Sequence, residues 1–288
     1  MAKSDSKPLN DALAKLTANR KAATKKEAAK PAPQMALELW PDRVRAVPNA
    51  VLRGALFSIN RTRTSSQKRE LIASLEGQEI RILGVRLNQT DLDVWEMLLH
   101  LGREQPLGSR VEFSAHALLK ALGRSASGRD HEVLKEEISR LAGTLIEITW
   151  TADKKTYGGS LVSEFFRDEA TQRYVVVFNE NMLSLYEGGY SHIDWEQRKA
   201  LGSNSLAKWL HGFYATHAAP HPYRVTTLRN LCGSTAPLPQ FRQMLKLALI
   251  RLEKTGAIEG WEIGDDNLVR VVKIPTSSQR KHLAKLRK

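Results

Sequence analysis

Two stretches of this chain repeat one pattern, and that repetition limits the folds open to it more than any other feature. The first copy begins as a short strand (Val111, Glu112, Phe113), followed by a short helix from Ala115 to Leu122 and a stop at Gly123. A Ser/Gly turn, a longer helix and an alternating strand from Leu145 to Trp150 complete it. The longer helix places Leu134, Ile138 and Leu141 at the i, i+4, i+7 spacing of one buried face and ends at Gly143. Strand, helix, turn, helix, strand is the order of a winged helix-turn-helix, although any two helices joined by a glycine turn can imitate it. The second copy, from Tyr223 to Trp261, repeats the order around Gly233. Setting Gly123 on Gly233 puts Leu118 on Leu228 and Ser125 on Thr235. A one-residue slip then sets Leu134, Ile138 and Leu141 on Leu245, Leu249 and Leu252. The expected fold class is therefore α+β: two winged-helix domains arranged as an internal pseudo-repeat, with flexible basic tails at both ends.

A chain of 288 residues is long enough for two cores. Its charge of +13 is uneven: residues 1–33 hold eight Lys/Arg against three Asp/Glu, and residues 273–288 hold six against none, leaving only +2 between them. Any phosphate-binding surface in the body must then be local, while the tails add nonspecific attraction or simply solubilise. The expected organisation is a basic tail (1–33), a linear motif (34–43), a first winged-helix domain (44–187), a second (190–274) and a basic tail (275–288).

Within the first domain, Asn49 to Ile59 reads as a short helix, Arg61 to Lys68 as a basic Thr/Ser loop, and Leu71 to Leu75 with Glu79 to Val85 as a hairpin around Gly77. Thr90 is positioned to cap a helix with Leu92, Trp95, Leu98 and Leu99 on one face, and a helix opening at Ser203 to Ser205, with Trp209, corresponds to it in the second domain. Leu145 to Trp150, Gly159 to Phe166 and Tyr174 to Phe178 are expected to form one elongated wing, with Asp153, Lys154 and Lys155 at a turn.

No catalytic apparatus is legible. The chain has no Gly-Lys dipeptide for a phosphate loop, no Gly-rich dinucleotide fingerprint, and no His pair separated by one residue as nicking enzymes require. His217 and His221 have metal-pair spacing, but Pro220 interrupts them and no acidic or Cys ligand is near in sequence, so no metal and no cofactor are expected. Asp265 and Asp266 read as a hairpin turn. The lone Cys232 excludes an internal disulfide and is expected in a core. No apolar run reaches membrane length and no signal core is present, so the expected location is the cytoplasm, with no membrane partner.

In a winged helix the second helix of the motif reads the major groove. In the first copy this face offers Ser125, Ser127, Arg129 and Lys135, with Arg124 beside them and Lys154 and Lys155 on the wing, but also Asp130 and Glu132, which repel phosphates. In the second copy Phe241, Leu245, Ala248, Leu249 and Leu252 belong to the core. The opposite face carries Gln240, Arg242, Gln243 and Lys246, with Ser234 and Thr235 in the turn: residue types suited to guanine, adenine and phosphate. A merely solvated helix surface has the same composition.

Gln34 to Leu39 is an apolar hexapeptide beside a basic, Ala-rich tail. Exposed Met35, Leu37, Leu39 and Trp40 would suit a peptide that docks in a partner's pocket. Gln34, Met35, Leu37 and Leu39 resemble the short peptide by which replication proteins bind the bacterial sliding clamp. The alternative is a strand or staple packed on the first domain.

From Gln34 to Lys273 the chain resembles the TrfA family of plasmid replication initiators. The likeness rests on the hexapeptide and Trp40 to Asp42, Arg45 to Asn49, Gly54 to Phe57, Val94 to Glu96, Pro106 to Gly108, Gly128-Arg129 with Ser139 to Leu141, and Leu231 to Ser234, in that order. The resemblance implies a protein that binds iteron repeats in double-stranded origin DNA and opens an adjacent AT-rich segment, with single-stranded origin DNA as a further partner. It also implies recruitment of the host initiator, replicative helicase and sliding clamp, and a monomer-homodimer equilibrium. The chain departs from the family pattern in its short basic tail and in the acidic pair Asp130 and Glu132. A winged-helix transcriptional regulator is the alternative, and a DNA-nicking or unwinding enzyme lacks its motifs.

Overall fold

The computed structural model describes residues 40–103 and 110–286. The expectations for residues 1–33 and for Gln34, Met35, Leu37 and Leu39 lie outside the described residues, as do Pro106 and Gly108. The chain starts with β1 (Val44–Pro48) and α1 (Asn49–Leu52), a helix much shorter than expected. Past α1 the backbone turns at Gly54, where a Cβ would lie 2.7 Å from the carbonyl oxygen of Ala73, and enters β2 (Phe57–Ser58). The hairpin β3 (Ser65–Ile72) and β4 (Gln78–Val85) closes around Gly77, so much of the expected basic loop is strand. After β5 (Leu87–Asn88), parallel to β2, comes α2 (Gln89–Gly102). Its cap is Asn88, not Thr90: the Asn88 side chain accepts from the Thr90 and Asp91 amides, and Asp91 reaches back to the Asn88 amide at 2.9 Å.

The first winged helix follows as β6 (Arg110–Ser114), α3 (Ala115–Ala121) and α4 (Gly128–Gly143). The expected single wing is corrected here. β7 (Leu145–Trp150) leaves the motif and pairs with β4 and with β8 (Lys155–Gly159), in a sheet ordered β3-β4-β7-β8. The pairing is an apolar ladder: Ile146 and Ile148 stand opposite Ile82 and Ile80, and all four are buried. The wing proper is the hairpin β9 (Val162–Asp168) and β10 (Arg173–Phe178), with β10 against β6.

A 3-10 turn (Glu180–Leu183) capped by Asn179 and α5 (Ser184–Glu187) end at Gly188 and Gly189. β11 (Tyr190–Asp194) then runs antiparallel to β1, from Pro48↔Tyr190 to Val44↔Asp194. After α6 (Trp195–Ala200) and α7 (Ser205–Ala215) comes the second winged helix. It comprises β12 (Tyr223–Arg224), α8 (Val225–Leu231), α9 (Leu238–Lys254) and the wing β13 (Gly260–Ile263) with β14 (Leu268–Val272).

The duplication is visible in the geometry. The two small sheets are ordered β6-β10-β9 and β12-β14-β13, so in each the strand before the motif pairs with the last strand of its wing. Gly123 and Gly233 both have φ of 70°, and the amides one residue earlier bond Leu118 at 2.9 Å and Leu228 at 3.0 Å. Leu134, Ile138 and Leu141 are buried in one core, and Leu245, Leu249 and Leu252 in the other. From the early part of the chain, Ile59 is buried in the second core and Leu75 packs against it.

Two readings at the ends change. Trp40 is buried against Ala46 and Tyr186 and donates its ring N–H to His100 Nδ1 at 3.2 Å. Burial holds His100 down at about 4, so its ring is neutral and able to accept. The C-terminal stretch expected as a tail forms α10 (Ser277–Leu286). Thr276 and Gln279 make a reciprocal cap (3.1 and 3.3 Å), and the Gln279 amide reaches the carbonyl of Ala215 at 2.9 Å.

The largest departure from one-sided amphipathicity is α2, which is buried on every side from Asp91 to His100 because the second half covers its polar face. Arg198 of α6 enters there. Its Nε lies 2.7 Å from Asp93 and 3.0 Å from Glu96, and its other nitrogens reach Gln89 at 3.2 Å and the carbonyl of Lys208 at 3.3 Å. Lys208 Nζ binds the second Asp93 oxygen at 2.5 Å. Burial pushes Asp93 up, but Arg198 and Lys208 outweigh it and hold the carboxyl low. For Glu96 burial wins over Arg198, and its pKa rises to about 7.

A carboxyl whose folded pKa exceeds its unfolded value of 4.5 favours folding fully below that value. The contribution is lost as pH rises toward 7. Relative to Glu96→Gln, wild-type stability should fall between pH 4.5 and 7 by about 1.4 kcal/mol per pH unit. Urea denaturation of both proteins from pH 5 to 8 measures this, and a pH-independent difference would refute it.

Candidate nucleic-acid interface

The two helix-turn-helix turns are built alike but present different chemistry. In the first, Ser127 caps α4 by accepting from the Asp130 amide at 3.3 Å. The hydroxyls of Ser125 and Ser127 both donate to the Asp130 carboxylate, and these hydrogen bonds hold its pKa below the usual range. Asp130 is thus ionised and organises the turn, and both serines are committed to it. Arg124 is half-buried. Its guanidinium lies 2.6 Å from the buried Glu137 and reaches the carbonyl of Thr90 at 3.4 Å. Arg129 and Glu132 are exposed, and Lys135 sits 3.8 Å from Glu169 at the tip of its own wing. Lys154 and Lys155, expected on that wing, instead occupy the β7–β8 hairpin in the other sheet.

In the second motif Arg229 bridges the turn, donating to the carbonyl of Ala236 at 2.6 Å, and the Ser234 hydroxyl accepts from the Ala236 amide at 3.3 Å. Pro237 precedes α9 and Pro239 lies in its first turn, where the missing N–H costs no helical bond. Phe241, Leu245, Ala248, Leu249 and Leu252 face the core as expected. Thr235, Gln240, Gln243 and Lys246 are exposed together. Arg242 is half-buried because its guanidinium donates to the side chain of Asn267 at the tip of the second wing. It ties the helix to the wing. That wing is internally neutralised where Arg270 meets Asp266 at 2.6 Å.

Asn60 and Arg61 stand beside the second turn and separate two grooves, of about 610 and 710 Å³, both also lined by Ser234 and Thr235. One continues along α9 past Gln240 to Arg251, the other past Thr62 and Thr64 to Arg86. The sequence marks this stretch only as basic and Thr/Ser-rich, and nothing in it announces that a segment so early in the chain reaches the second motif.

The remaining chemistry-bearing residues are structural. Cys232 is buried, and burial pushes its thiol up to about 12, so it is not a nucleophile at neutral pH. His217 bonds the Tyr223 hydroxyl at 2.9 Å and the carbonyl of Phe213 at 2.8 Å. Among the described residues no three His, Cys, Asp or Glu side chains gather as metal ligands, and no helix is long and apolar enough to cross a membrane.

The geometry of Arg124 yields a direct contrast. Arg124→Met should cost about 3–5 kcal/mol of stability by leaving Glu137 buried without its partner. Arg129→Ala, at an exposed site, should change stability by no more than about 0.5 kcal/mol. Denaturant midpoints of the two variants check this, and equal midpoints would return Arg124 to the surface.

Comparison with known proteins follows the same outline. The family model described as TrfA protein matches residues 7–273. The plasmid replication initiator protein TrfA of Escherichia coli is 28% identical over 236 residues, covering 79% of this chain and 61% of that protein, so the chain spans about three fifths of its relative. Among solved structures, the crystal structure of RctB domains 2-3 has a TM-score of 0.52 at 13% identity, covering 71% of this chain and 83% of that one. Its selenomethionine form gives 0.51, again at 13% identity, with 71% and 85% covered. These two likenesses concern the fold.

Proposed function

Because the chain belongs to the TrfA family, we propose that it is a plasmid replication initiator that binds iteron repeats in double-stranded origin DNA. The observation that carries this reading is the pair of helix-turn-helix motifs with matching turns and matching sheet order in a single chain. One chain then offers two reading helices to one duplex. On this reading sequence recognition is concentrated in α9, where Gln240, Gln243 and Lys246 are exposed beside Ser234 and Thr235 and no carboxylate lies on that face before Glu253. The first motif, balanced by Asp130 and Glu132, positions the chain on the duplex more than it reads bases.

Opening of an AT-rich segment, engagement of single-stranded origin DNA, recruitment of the host initiator and helicase, and a monomer-homodimer equilibrium complete the proposal. They rest on family membership and on the relative's function. The sliding clamp is the proposed partner of Gln34, Met35, Leu37 and Leu39. Trp40, the residue after this hexapeptide, is buried, so the proposed docking segment ends before it.

On the duplex this chain selects from a random library, Gln243→Ala should cost about 1–3 kcal/mol and relax one base preference. Lys246→Ala should weaken selected and random duplexes alike. Equal losses on both duplexes for Gln243→Ala, measured by fluorescence anisotropy, would remove it from base reading.

Replacing Leu37 and Leu39 by Ala should lower affinity for purified bacterial sliding clamp by at least about tenfold, since each fully buried leucine contributes roughly 1.5–3 kcal/mol. DNA binding and melting temperature should not change. If melting temperature and DNA affinity fall together while the parent protein shows no heat of binding to the clamp in calorimetry, the hexapeptide is a structural staple.

A further inference from the structure

The segment at residues 59–63 touches both motifs, and no role for it follows from the fold alone. Toward the second motif, the Ile59 amide donates to the carbonyl of Cys232 at 3.1 Å and its side chain is buried in the second core. Asn60 Nδ2 donates to the carbonyl of Gly233 at 2.7 Å. Contact there is tight: a Cβ on Gly233 would come within 3.0 Å of the Ser58 Cβ. Toward the first motif, Arg63 lies 2.6 Å from Asp91, and the other Asp91 oxygen takes Arg140 of the reading helix α4 at 3.0 Å. Arg61 adds a bond to the carbonyl of Ser203 at 3.1 Å. The path from α4 to the turn before α9 is therefore continuous. It runs through Arg140, Asp91, Arg63, three peptide units, Asn60 and Gly233, with its backbone portion no longer than about 10 Å when fully extended.

We propose that residues 59–63 are a clasp that fixes the distance and rotational phase between the two reading helices, so that the protein selects DNA by the spacing of its half-sites, with Asn60 and Arg63 as positioning residues. This rests on the DNA-binding reading above. The physical reason is the pitch of the duplex. One inserted base pair moves a half-site by roughly 3.4 Å and turns it by roughly 34–36°. A flexible tether would follow that displacement. A clasp bonded at both ends cannot, and one helix must leave its groove. Neither residue needs to touch DNA: Asn60 is half-buried over Gly233, and Arg63 is half-buried against Asp91.

The experiment uses the full chain. A duplex is selected from a random library with the wild-type protein, its two half-sites are mapped by footprinting, and spacer variants from two base pairs shorter to two longer are made, with a single half-site as control. Wild type, Asn60→Ala, Arg63→Met and the conservative Arg63→Lys are titrated by anisotropy at two salt concentrations. Wild type should lose at least about tenfold in affinity on one added or removed base pair. Asn60→Ala and Arg63→Met should bind the original spacing within about threefold of wild type, with the spacer penalty shrinking to under about threefold. Arg63→Lys should keep part of the penalty. The single half-site affinity and the salt slope should not move.

A full spacer penalty in both Asn60→Ala and Arg63→Met overturns the proposal. So does an equal loss on every duplex including the half-site, the signature of a direct phosphate contact or of damaged folding, which melting curves separate. A wild type indifferent to spacing overturns it while leaving DNA binding intact. If the wild type enriches no sequence at all, the DNA-binding reading fails first and the clasp falls with it. Should Arg63→Met not fold, Asn60→Ala carries the same test, since it removes one hydrogen bond and leaves both cores whole.

Discussion

Arg198 is the group on which the seating of α6 against α2 depends. It is almost fully buried, and it enters the polar face of α2 between Asp93 and Glu96. An ion pair in such a place adds little net stability over an apolar equivalent, because desolvating the charges costs about as much as their attraction returns. Its effect lies in the asymmetry of disruption. Any displacement of α6 from α2 leaves carboxylates buried without Arg198, which seats α6 on α2, whereas the phase of the two reading helices is set, on the proposal above, by residues 59–63. Lys208 completes the neutralisation from α7, so two elements of the second half, not one, are committed to the first.

This explains which parts of the fold were legible. Sequence periodicity reports local burial, and where an element meets one neighbour it succeeds. The faces of α4 and α9, the glycine turns at 123 and 233 and the strand before each motif follow from spacing alone. Burial of the polar side of α2 was not legible, because Asp91, Asp93 and Glu96 look like solvent-facing residues until Arg63, Arg140, Arg198 and Lys208 arrive from elsewhere. β7 failed for a related reason. Its alternation suits any antiparallel neighbour, and the choice of β4 over the wing was made by Ile80 and Ile82, more than sixty residues earlier. The pairing of Arg124 was not legible because an arginine beside a turn has the same sequence signature whether it faces phosphate or Glu137. By contrast, α10 could have been found: a Thr three residues before a Gln is a capping box in sequence as well as in structure.

The two copies have diverged in the direction expected when one scaffold is kept and one face is altered. In the first, Asp130 serves the turn at the N-terminal end of α4, where its negative charge favours the helix dipole but, on the DNA-binding reading proposed above, opposes phosphate. In the second, proline replaces the serine cap and the exposed face is polar without being acidic. Arg242 follows the same logic. Bonded to Asn267, it fixes the wing against α9, so helix and wing form one surface instead of two that must be ordered separately on binding.

Charge counting takes on a different meaning in this light. The body carries +2, yet a large share of its arginines face inward. Arg63 and Arg140 belong to Asp91, Arg124 to Glu137 and Arg198 to Asp93, while Arg45 is held over the Trp195 ring at 4.7 Å and burial lowers its pKa to about 10. On the DNA-binding reading, these side chains release few counterions when the protein meets DNA, because they are engaged inside the fold. The cations left for phosphate in the body include Arg61 and Arg251, which line one groove beside the second turn, and the exposed Lys246, while the excess in residues 1–33 and 273–288 is unmatched in sequence. On the DNA-binding reading proposed above, the exposed cations of the body give local phosphate contacts, and the terminal stretches, which carry most of the net charge, add sequence-independent attraction to the duplex.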